Sequence, residues 1–340
     1  MKKIILIILT LINTSQILAQ SGGYAGTFAR LGFGARGLSK GNAMVSDLFG
    51  EYSGYYNPAL ACFQEDANLS LGYTFMSLDR KLNFIGFAKQ FPLQNKKGGA
   101  GISLSWINFG VSNIDGRDND GNQIGNFSVF ENQFYLGTSF LVEENFAIGI
   151  GFKLYYSKLF EGVSTTSIAF DLGAAYKVTP NLSFGFTIRD LSAKYKWETN
   201  KIYGSTYGRT TENKFPILIN FGSSYLLPKN FGVVSVEIES VINPNYEDKS
   251  NGIKIKSKNF YYVKVGGEIN INNYIKFRAG CDRIGLNEDD FMGSLKPGLG
   301  VGIKKIIGKN LLLGLDYAFQ LEPYSKDAVQ NLSLNINFKL

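Results

Sequence analysis

The side chains that could carry out chemistry are few, because the chain of 340 residues contains no histidine. Without histidine there is no Ser-His or Cys-His pair for nucleophilic catalysis and no imidazole ligand for a metal ion. Glu237 and Glu239 are candidates for acid–base chemistry, but they lie two positions apart on one face of a predicted strand, which suits a hydrated wall equally well. We therefore predict a protein that is not an enzyme and uses no cofactor.

Two glycine-rich motifs resemble ligand-binding loops but lack the context that such loops need. Gly32, Gly34 and Gly37 spell G-x-G-x-x-G, yet no strand precedes them and no βαβ unit surrounds them, as a dinucleotide site requires. The stretch DGRDNDGNQIG is similar to a calcium loop, but in the matching register Gly116 takes the first ligand position and Phe127 that of the terminal glutamate. We interpret this stretch as a solvated turn and expect no metal site.

The first residues have the pattern of a secretory signal peptide. Lys2 and Lys3 form a basic region, residues 4–12 an apolar region, and residues 17–19 a cleavage site. The alternative, a membrane anchor, needs roughly 20 apolar residues, and this run is shorter. Removing residues 1–19 lowers the formal net charge from +7 to +5, because two lysines leave. That mild balance, without a basic run, argues against nucleic acid as a partner.

From about Asn68 onward the sequence alternates between apolar and polar residues, as strands with two different faces do. The last ten residues, NLSLNINFKL, show the pattern without interruption. We count 14 such strands. No apolar run is long enough for a membrane helix, so the chain is either a secreted β protein or a transmembrane β-barrel. Cys62 and Cys281 are the only cysteines, and whether they pair stays open.

The lengths of the connections favour the barrel. The links after even-numbered strands are short, whereas several after odd-numbered strands are long: residues 111–126, 190–214, 241–259 and 283–296. Outer-membrane barrels sort their connections in this way, with short periplasmic turns and long extracellular loops. The sequence therefore predicts an all-β fold, a 14-stranded antiparallel barrel in the outer membrane of a Gram-negative bacterium, surrounded by its lipid.

The small and polar positions of these strands should face the lumen. They carry charges of both signs: Lys153, Asp171, Arg189, Glu237, Glu239, Lys264, Glu268, Arg278, Asp282, Lys304 and Asp316. Such a wall suits water, ion pairs or a polar plug, and it suits a fatty ligand poorly. An ordinary hydrated wall without any pathway is the alternative.

The segment ahead of the strands resembles a known family. GARGLSKGNAMVSD, followed by YSGYYNPALA, resembles the N-terminal signature of PorV/PorQ-type proteins, a branch of the FadL-like outer-membrane barrels. Gly34, Arg36 and Gly41 match its first part, and Asn57 and Pro58 its second, where Asn57 can also cap a short helix. The resemblance implies residues 1–19 as signal, 20–67 as an N-terminal plug and 68–340 as a 14-stranded barrel.

The resemblance also implies a function. PorV/PorQ-type proteins serve type IX protein secretion or surface attachment, so the implied partners are the translocon, cargo with a C-terminal sorting domain, or attachment-complex proteins. FadL-like relatives instead carry small hydrophobic compounds inward, which is the alternative function.

One predicted extracellular loop carries the candidate binding residues, namely Trp197, Tyr203, Tyr207 and Arg209. Aromatic and arginine side chains on exposed loops are typical anchors of interfaces. The other interpretation, aromatic residues at the membrane interface, explains them equally well.

Overall fold

The computed structural model describes residues 24–51, 54–92, 99–248, 253–255, 257–272, 274–287, 294–308, 310–323 and 328–338. It contains two α-helices, α1 (Gly34–Ser39) and α2 (Asn200–Tyr207), and 3₁₀ turns at Thr27–Arg30, Pro58–Phe63 and Pro228–Asn230. The strands are β1 (Ala67–Phe75), β2 (Lys81–Pro92), β3 (Gly99–Arg117), β4 (Gln123–Glu143), β5 (Phe146–Phe160), β6 (Val163–Lys177), β7 (Leu182–Leu191), β8 (Lys194–Glu198), β9 (Thr210–Lys214), β10 (Ile217–Leu226), β11 (Gly232–Ile242), β12 (Tyr246–Asp248), β13 (Ile253–Ile255), β14 (Phe260–Asn270), β15 (Ile275–Gly285), β16 (Lys296–Ile307), β17 (Leu311–Leu321) and β18 (Ala328–Phe338).

Fourteen of these strands form one closed antiparallel barrel, and β8–β9 and β12–β13 form two small separate hairpins. Closure joins the first strand to the last: Ala67 pairs with Phe338, and the ladder continues to Phe75 opposite Gln330. Closing the sheet leaves no unpaired edge in the lipid. The predicted fold and strand count are confirmed.

Alternation along each strand separates a lipid face from a lumen face. On β5, Ile148, Ile150 and Phe152 are exposed, whereas Lys153 and Tyr155 are fully buried. Among the charged residues predicted to face the lumen, Lys304 is half-buried and the others are buried. That part of the prediction is confirmed. Within the described residues, no helix is long and apolar enough to span a membrane.

The connections follow the predicted sorting with one exception. The short links of two to six residues lie at one end, for example between β4 and β5 and between β6 and β7. Residues 111–126 are not a loop: β3 and β4 continue to Arg117 and from Gln123, past a bulge near Asn113 (φ 60°). These parts of β3 and β4 carry polar residues on both faces. The alternation of apolar and polar residues therefore did not predict them as strands.

Two sequence-based expectations lie outside the described residues. These are the signal peptide, residues 1–19, and the end of the last predicted strand, Lys339 and Leu340.

Candidate functional site: a plugged lumen with a lateral pocket

Residues 24–51 and 54–66 lie inside the barrel as a plug, and the two halves of the sequence motif contact each other there. The Tyr56 hydroxyl donates to Asn42 Oδ1 at 2.8 Å, and Asn57 Nδ2 donates to the Val45 carbonyl at 2.8 Å. All four residues are buried. The two motif parts, separated along the chain, therefore form one folded unit.

Asn57 and Pro58 begin the second 3₁₀ turn, and Asn57 also bonds this turn to the barrel wall. Asn57 Oδ1 accepts from the Ala59 amide at 3.0 Å, with Pro58 at the first helical position, so the predicted cap is confirmed. Asn57 Nδ2 also donates to the Ala174 carbonyl of β6 at 3.0 Å. One amide side chain thus holds the turn, the rest of the plug and the wall together.

The plug approaches the wall so closely that glycine is required at the contacts. A Cβ on Gly280 would lie 2.3 Å from the Lys40 carbonyl carbon, and one on Gly173 would lie 2.2 Å from Asn57 Oδ1. These glycines belong to rows that run from strand to strand in register: Gly149 with Gly173, and Gly266 with Gly280 and Gly298. Plug backbone therefore packs directly on wall backbone.

Gly41 of the motif satisfies two requirements at once. Its φ of 59° is in the left-handed region, and a Cβ there would lie 2.5 Å from the backbone of Cys281. Gly34, at the start of α1, also has a positive φ of 74°. The glycine positions of the motif thus have local structural reasons.

Arg36 is the centre of a buried ion-pair network on one side of the plug. Its Nη2 lies 2.7 Å from Asp47 Oδ2 and its Nε lies 3.0 Å from Glu268 Oε2. Glu268 also pairs with Arg278 at 2.7 Å, and Lys40 pairs with Asp47. The network joins α1 to β14 and β15, so it fixes both the position and the rotation of the plug.

Glu237 and Glu239 belong to a second network and are not poised for acid–base chemistry. Both are buried and share Lys264, whose Nζ lies 3.1 Å from Glu237 Oε1 and 2.6 Å from Glu239 Oε2. Glu237 also accepts from the amides of Met44 and Val45 at 3.0 Å. Glu237 anchors the plug to β11, and because both carboxylates are buried the hydrated-wall interpretation is wrong for them.

The opposite side of the plug is aromatic. Phe28 stacks on Phe109 with ring centroids 6.1 Å apart and meets the edge of Tyr155 at 6.2 Å. Phe33 contacts Phe84 with centroids 3.9 Å apart. These rings come from the plug, β2, β3 and β5. The sequence pattern did not predict this side, because only small and polar positions were expected to face the lumen.

Strand β7 leaves the wall at its extracellular end. Its last pair with β10 is Arg189 opposite Leu218. Asp190 (φ 62°) and Ser192 (φ 68°) then have left-handed backbone and turn the chain inward. Asp190 itself is buried and accepts from Lys153 Nζ at 2.8 Å, which holds the turn in place.

Strand β8 follows this turn and lies inside the mouth, against β6. The Lys194 amide donates to Ser167 Oγ at 2.9 Å. The Tyr195 hydroxyl donates to Glu131 Oε2 at 2.8 Å. Burial and the Glu131 carboxylate raise the pKa of Tyr195 well above its usual range, so the hydroxyl stays protonated as the donor.

A pocket of about 370 Å³ opens where β7 leaves the wall. Ala193 and Phe215 line it from the lumen side, and Ile217 and Ile242 from the outer side. Ile217 and Ile242 are directly paired and lie on the outward face of β10 and β11. By contrast, four cavities between plug and wall measure only about 10–20 Å³ each, room for about one water. The pocket is therefore lateral, between lipid and lumen.

The structure separates the four predicted binding residues. Tyr203 and Tyr207 lie on α2 at the tip of the loop, 61% and 78% exposed. Arg209 follows them and is exposed, and its amide donates to Thr199 Oγ1 at 2.9 Å. Trp197 lies apart from these three residues: its ring packs on Tyr195 at the aromatic side of the lumen, with centroids 5.4 Å apart. A role for any of them in binding stays a prediction.

The remaining candidates have structural explanations. In the aspartate-rich turn, the backbone and side chain of Asn122 donate to Asp118 and lower the pKa of its carboxyl. Among the described residues, no group of three or more carboxylates or thiols could hold a metal ion. Cys62 and Cys281 are both free thiols, Cys62 in the plug and Cys281 on β15.

Closed barrel, apolar outer face and internal plug together define an outer-membrane β-barrel. No family model and no curated protein sequence matches the chain. Among solved structures, the toluene transporter TbuX of Ralstonia pickettii has a TM-score of 0.55 at 13% identity, covering 91% of this chain and 98% of that one.

Two further structures are similar. A FadL homologue of Pseudomonas aeruginosa has a TM-score of 0.58 at 14% identity, covering 90% of this chain and 98% of that one. The toluene transporter TodX of Pseudomonas putida has a TM-score of 0.55 at 14% identity, covering 90% of this chain and 96% of that one. The fold of this chain is thus FadL-like.

Proposed function

We propose that the protein takes up small apolar molecules sideways, from the outer leaflet through the lateral pocket into the lumen. The observation that carries this proposal is the pocket itself, whose apolar lining residues include Ile217 and Ile242 on the lipid side and Phe215 on the lumen side. Pockets of this size, lined mostly by apolar side chains, are typical of small-ligand sites. Two of the similar structures are toluene transporters, which agrees with this class of ligand.

A chain of aromatic rings gives such a molecule a route inward. Phe215 at the pocket contacts Tyr155 with ring centroids 4.9 Å apart, and Tyr155 meets Phe28 of the plug. The Arg36 network lies on the other side of the plug. Tyr155 itself donates to Asp190 at 2.7 Å, and Asp190 is already paired with Lys153, so an apolar molecule that follows the rings passes a charge that has its partner. Passage requires side chains to move, because the rings are packed together.

The test is binding of 4-fluorotoluene to the protein in lipid nanodiscs, followed by ¹⁹F NMR. Ile217→Thr removes part of the apolar pocket lining and should weaken binding roughly fivefold, the effect of about 1 kcal/mol of lost apolar contact. The matched control is Ile219→Thr, because Ile219 lies on the same outward face of β10 and does not line the pocket. Equal binding by both variants, or no binding by the unaltered protein, would contradict the proposal.

A second candidate is the scaffold role in type IX secretion or surface attachment that the motif resemblance implies. The observation in its favour is the exposed pair Tyr203 and Tyr207, which lie on either side of a kink at Gly204 (φ 70°) in α2, at the extracellular end. Large exposed aromatic residues at a loop tip are typical of protein contacts. No apolar pocket is needed for this role.

This candidate predicts that Tyr203→Ala/Tyr207→Ala abolishes a partner contact. The protein would be extracted gently from its own outer membrane and analysed by native mass spectrometry for a translocon-like protein or cargo with a C-terminal sorting domain. Tyr274→Ala is the control, because Tyr274 is 54% exposed at the opposite end of the barrel. Retention of the partner by the double variant would exclude α2 as the contact.

A further inference from the structure

We infer that the lateral pocket binds one lipid of the outer leaflet, with an acyl chain between the apolar walls and an anionic phosphate head group held by Lys194 and Lys214. The inference concerns the pocket of the proposed function but does not depend on uptake. It assigns a resident membrane lipid, which is a different ligand from the molecules that would be transported.

The position of the pocket favours a lipid. Its outer walls, Ile217 and Ile242, continue the lipid-facing rows of β10 and β11, on which Phe221 and Ile238 are 51% and 47% exposed. On neighbouring β6 the outward residues change from the exposed apolar Ile168 to the exposed polar Thr166. The pocket therefore lies at the upper edge of the apolar belt, where lipid head groups begin.

The two lysines supply the charge that a phosphate needs. Lys194 and Lys214 both line the pocket and lie directly opposite each other on β8 and β9. Like charges in that arrangement repel each other. Lys194 has a partner in Glu212 at 3.2 Å, whereas Lys214 has no ion pair within the described part of the chain. Asp190, the acidic residue of the pocket, is already neutralised by Lys153 at 2.8 Å. One positive charge is left for an anion.

An unsatisfied acceptor points to a hydroxyl on the same ligand. Asn243 lines the pocket and is 5% exposed. Its Nδ2 donates to the Lys258 carbonyl at 2.6 Å, but its Oδ1 has no hydrogen-bond partner among the described residues. A buried acceptor without a partner is costly. A glycerol hydroxyl beside a lipid phosphate would satisfy it.

The experiment is native mass spectrometry of the full-length protein in detergent, titrated with palmitoyl-oleoyl phosphatidylglycerol or with diacylglycerol of the same chains. We expect one phosphatidylglycerol to be retained at least tenfold better than diacylglycerol. Lys194→Gln/Lys214→Gln should weaken retention roughly tenfold or more, since each lysine near a membrane surface favours an anionic lipid. Both lysine side chains are exposed, and the β8–β9 hairpin is not part of the barrel sheet, so the barrel should form normally.

Lys196→Gln is the matched control, because Lys196 is exposed on the same strand, pairs with Glu198 and does not line the pocket. The inference is overturned if diacylglycerol binds as well as phosphatidylglycerol, or if the control loses lipid as strongly as the double variant. It is also overturned if free glycerol phosphate displaces the lipid at equal concentration, because the site would then bind a soluble anion.

Binding of 4-fluorotoluene to the same preparations separates this inference from the proposed function. Lipid retention without binding of the aromatic probe would overturn uptake alone. Probe binding without selective lipid retention would overturn the lipid site alone.

Discussion

The two sides of the plug meet the barrel wall through different chemistry. Toward β11, β14 and β16 the contacts involve charged groups. Arg36 of the plug pairs with Glu268 of β14, and Glu51 pairs with Lys304 of β16. The Met44 and Val45 amides donate to Glu237 of β11. Toward β2, β3 and β5 the contacts are aromatic rings around Phe28. A buried ion pair cannot be separated without leaving an uncompensated charge. Stacked rings can slide or change rotamer at lower cost, because dispersion is not directional.

This difference suggests that the two sides of the plug have different roles. The charged side determines where the plug lies, and the aromatic side can adjust while the plug stays in place. The lateral pocket opens next to the aromatic side, through Phe215 and Ala193. A molecule that enters from the lipid therefore meets the adjustable side first.

The largest expected effect is on the charged side. Arg36→Ala would leave Asp47 and Glu268 buried without their shared partner, and breaking such a pair costs about 3–5 kcal/mol. We expect the plug to leave its position while the barrel remains closed. Trypsin should then cleave after Lys40, which is fully buried in the native plug, and mass spectrometry would detect the cut.

Arg117→Ala is the control for this variant. Arg117 also pairs with an aspartate, Asp115, at 2.8 Å, but both side chains are about half exposed at 61% and 45%. Exposed pairs contribute about 0–1 kcal/mol, so Lys40 should stay protected. A plug that remains trypsin-resistant in Arg36→Ala would mean that the aromatic side alone can hold it.

An intermediate effect is expected where plug and wall backbones touch. Gly280→Ala places a methyl group within 2.5 Å of the Lys40 and Gly41 backbone, and overpacking of this kind typically costs about 1–3 kcal/mol. Partial cleavage after Lys40 is the expected result. Gly267→Ala is the matched control, because a Cβ there has no heavy atom closer than 3.9 Å. Equal protease resistance of both variants would show that the plug can shift to accommodate the methyl group without losing stability.

The charged side could be predicted from the sequence and the aromatic side could not. Glu268, Arg278 and Asp316 stand out as charges in alternating strands, and burying them in lipid would be prohibitive, so their direction follows from the pattern. Phe84 and Tyr155 also face the lumen, yet an apolar residue in a barrel strand is compatible with either face. Only the plug, which supplies Phe28 and Phe33 as partners, decides their direction.

The lateral pocket was hidden for a different reason. It arises because Asp190 and Ser192 have left-handed backbone. Neither residue type is sufficient to predict that conformation from the sequence. Asp190 is kept there by Lys153 and Tyr155 at 2.8 and 2.7 Å, two residues of β5. A contact between residues so far apart in sequence is a tertiary property. The resemblance of the segment ahead of the strands, by contrast, did imply a plug.

The smallest effect is expected on the aromatic side. Phe28→Leu keeps an apolar side chain of similar reach and should cost only about 1 kcal/mol, since the neighbouring rings can close part of the space. The plug should stay in place, with Lys40 protected from trypsin. The space that remains beside Tyr155 and Phe109 should bind 4-fluorotoluene more tightly, by roughly threefold for a gain of about 0.7 kcal/mol. If Phe28→Leu instead exposes Lys40 as Arg36→Ala does, both sides hold the plug equally, and the aromatic side is not the adjustable one.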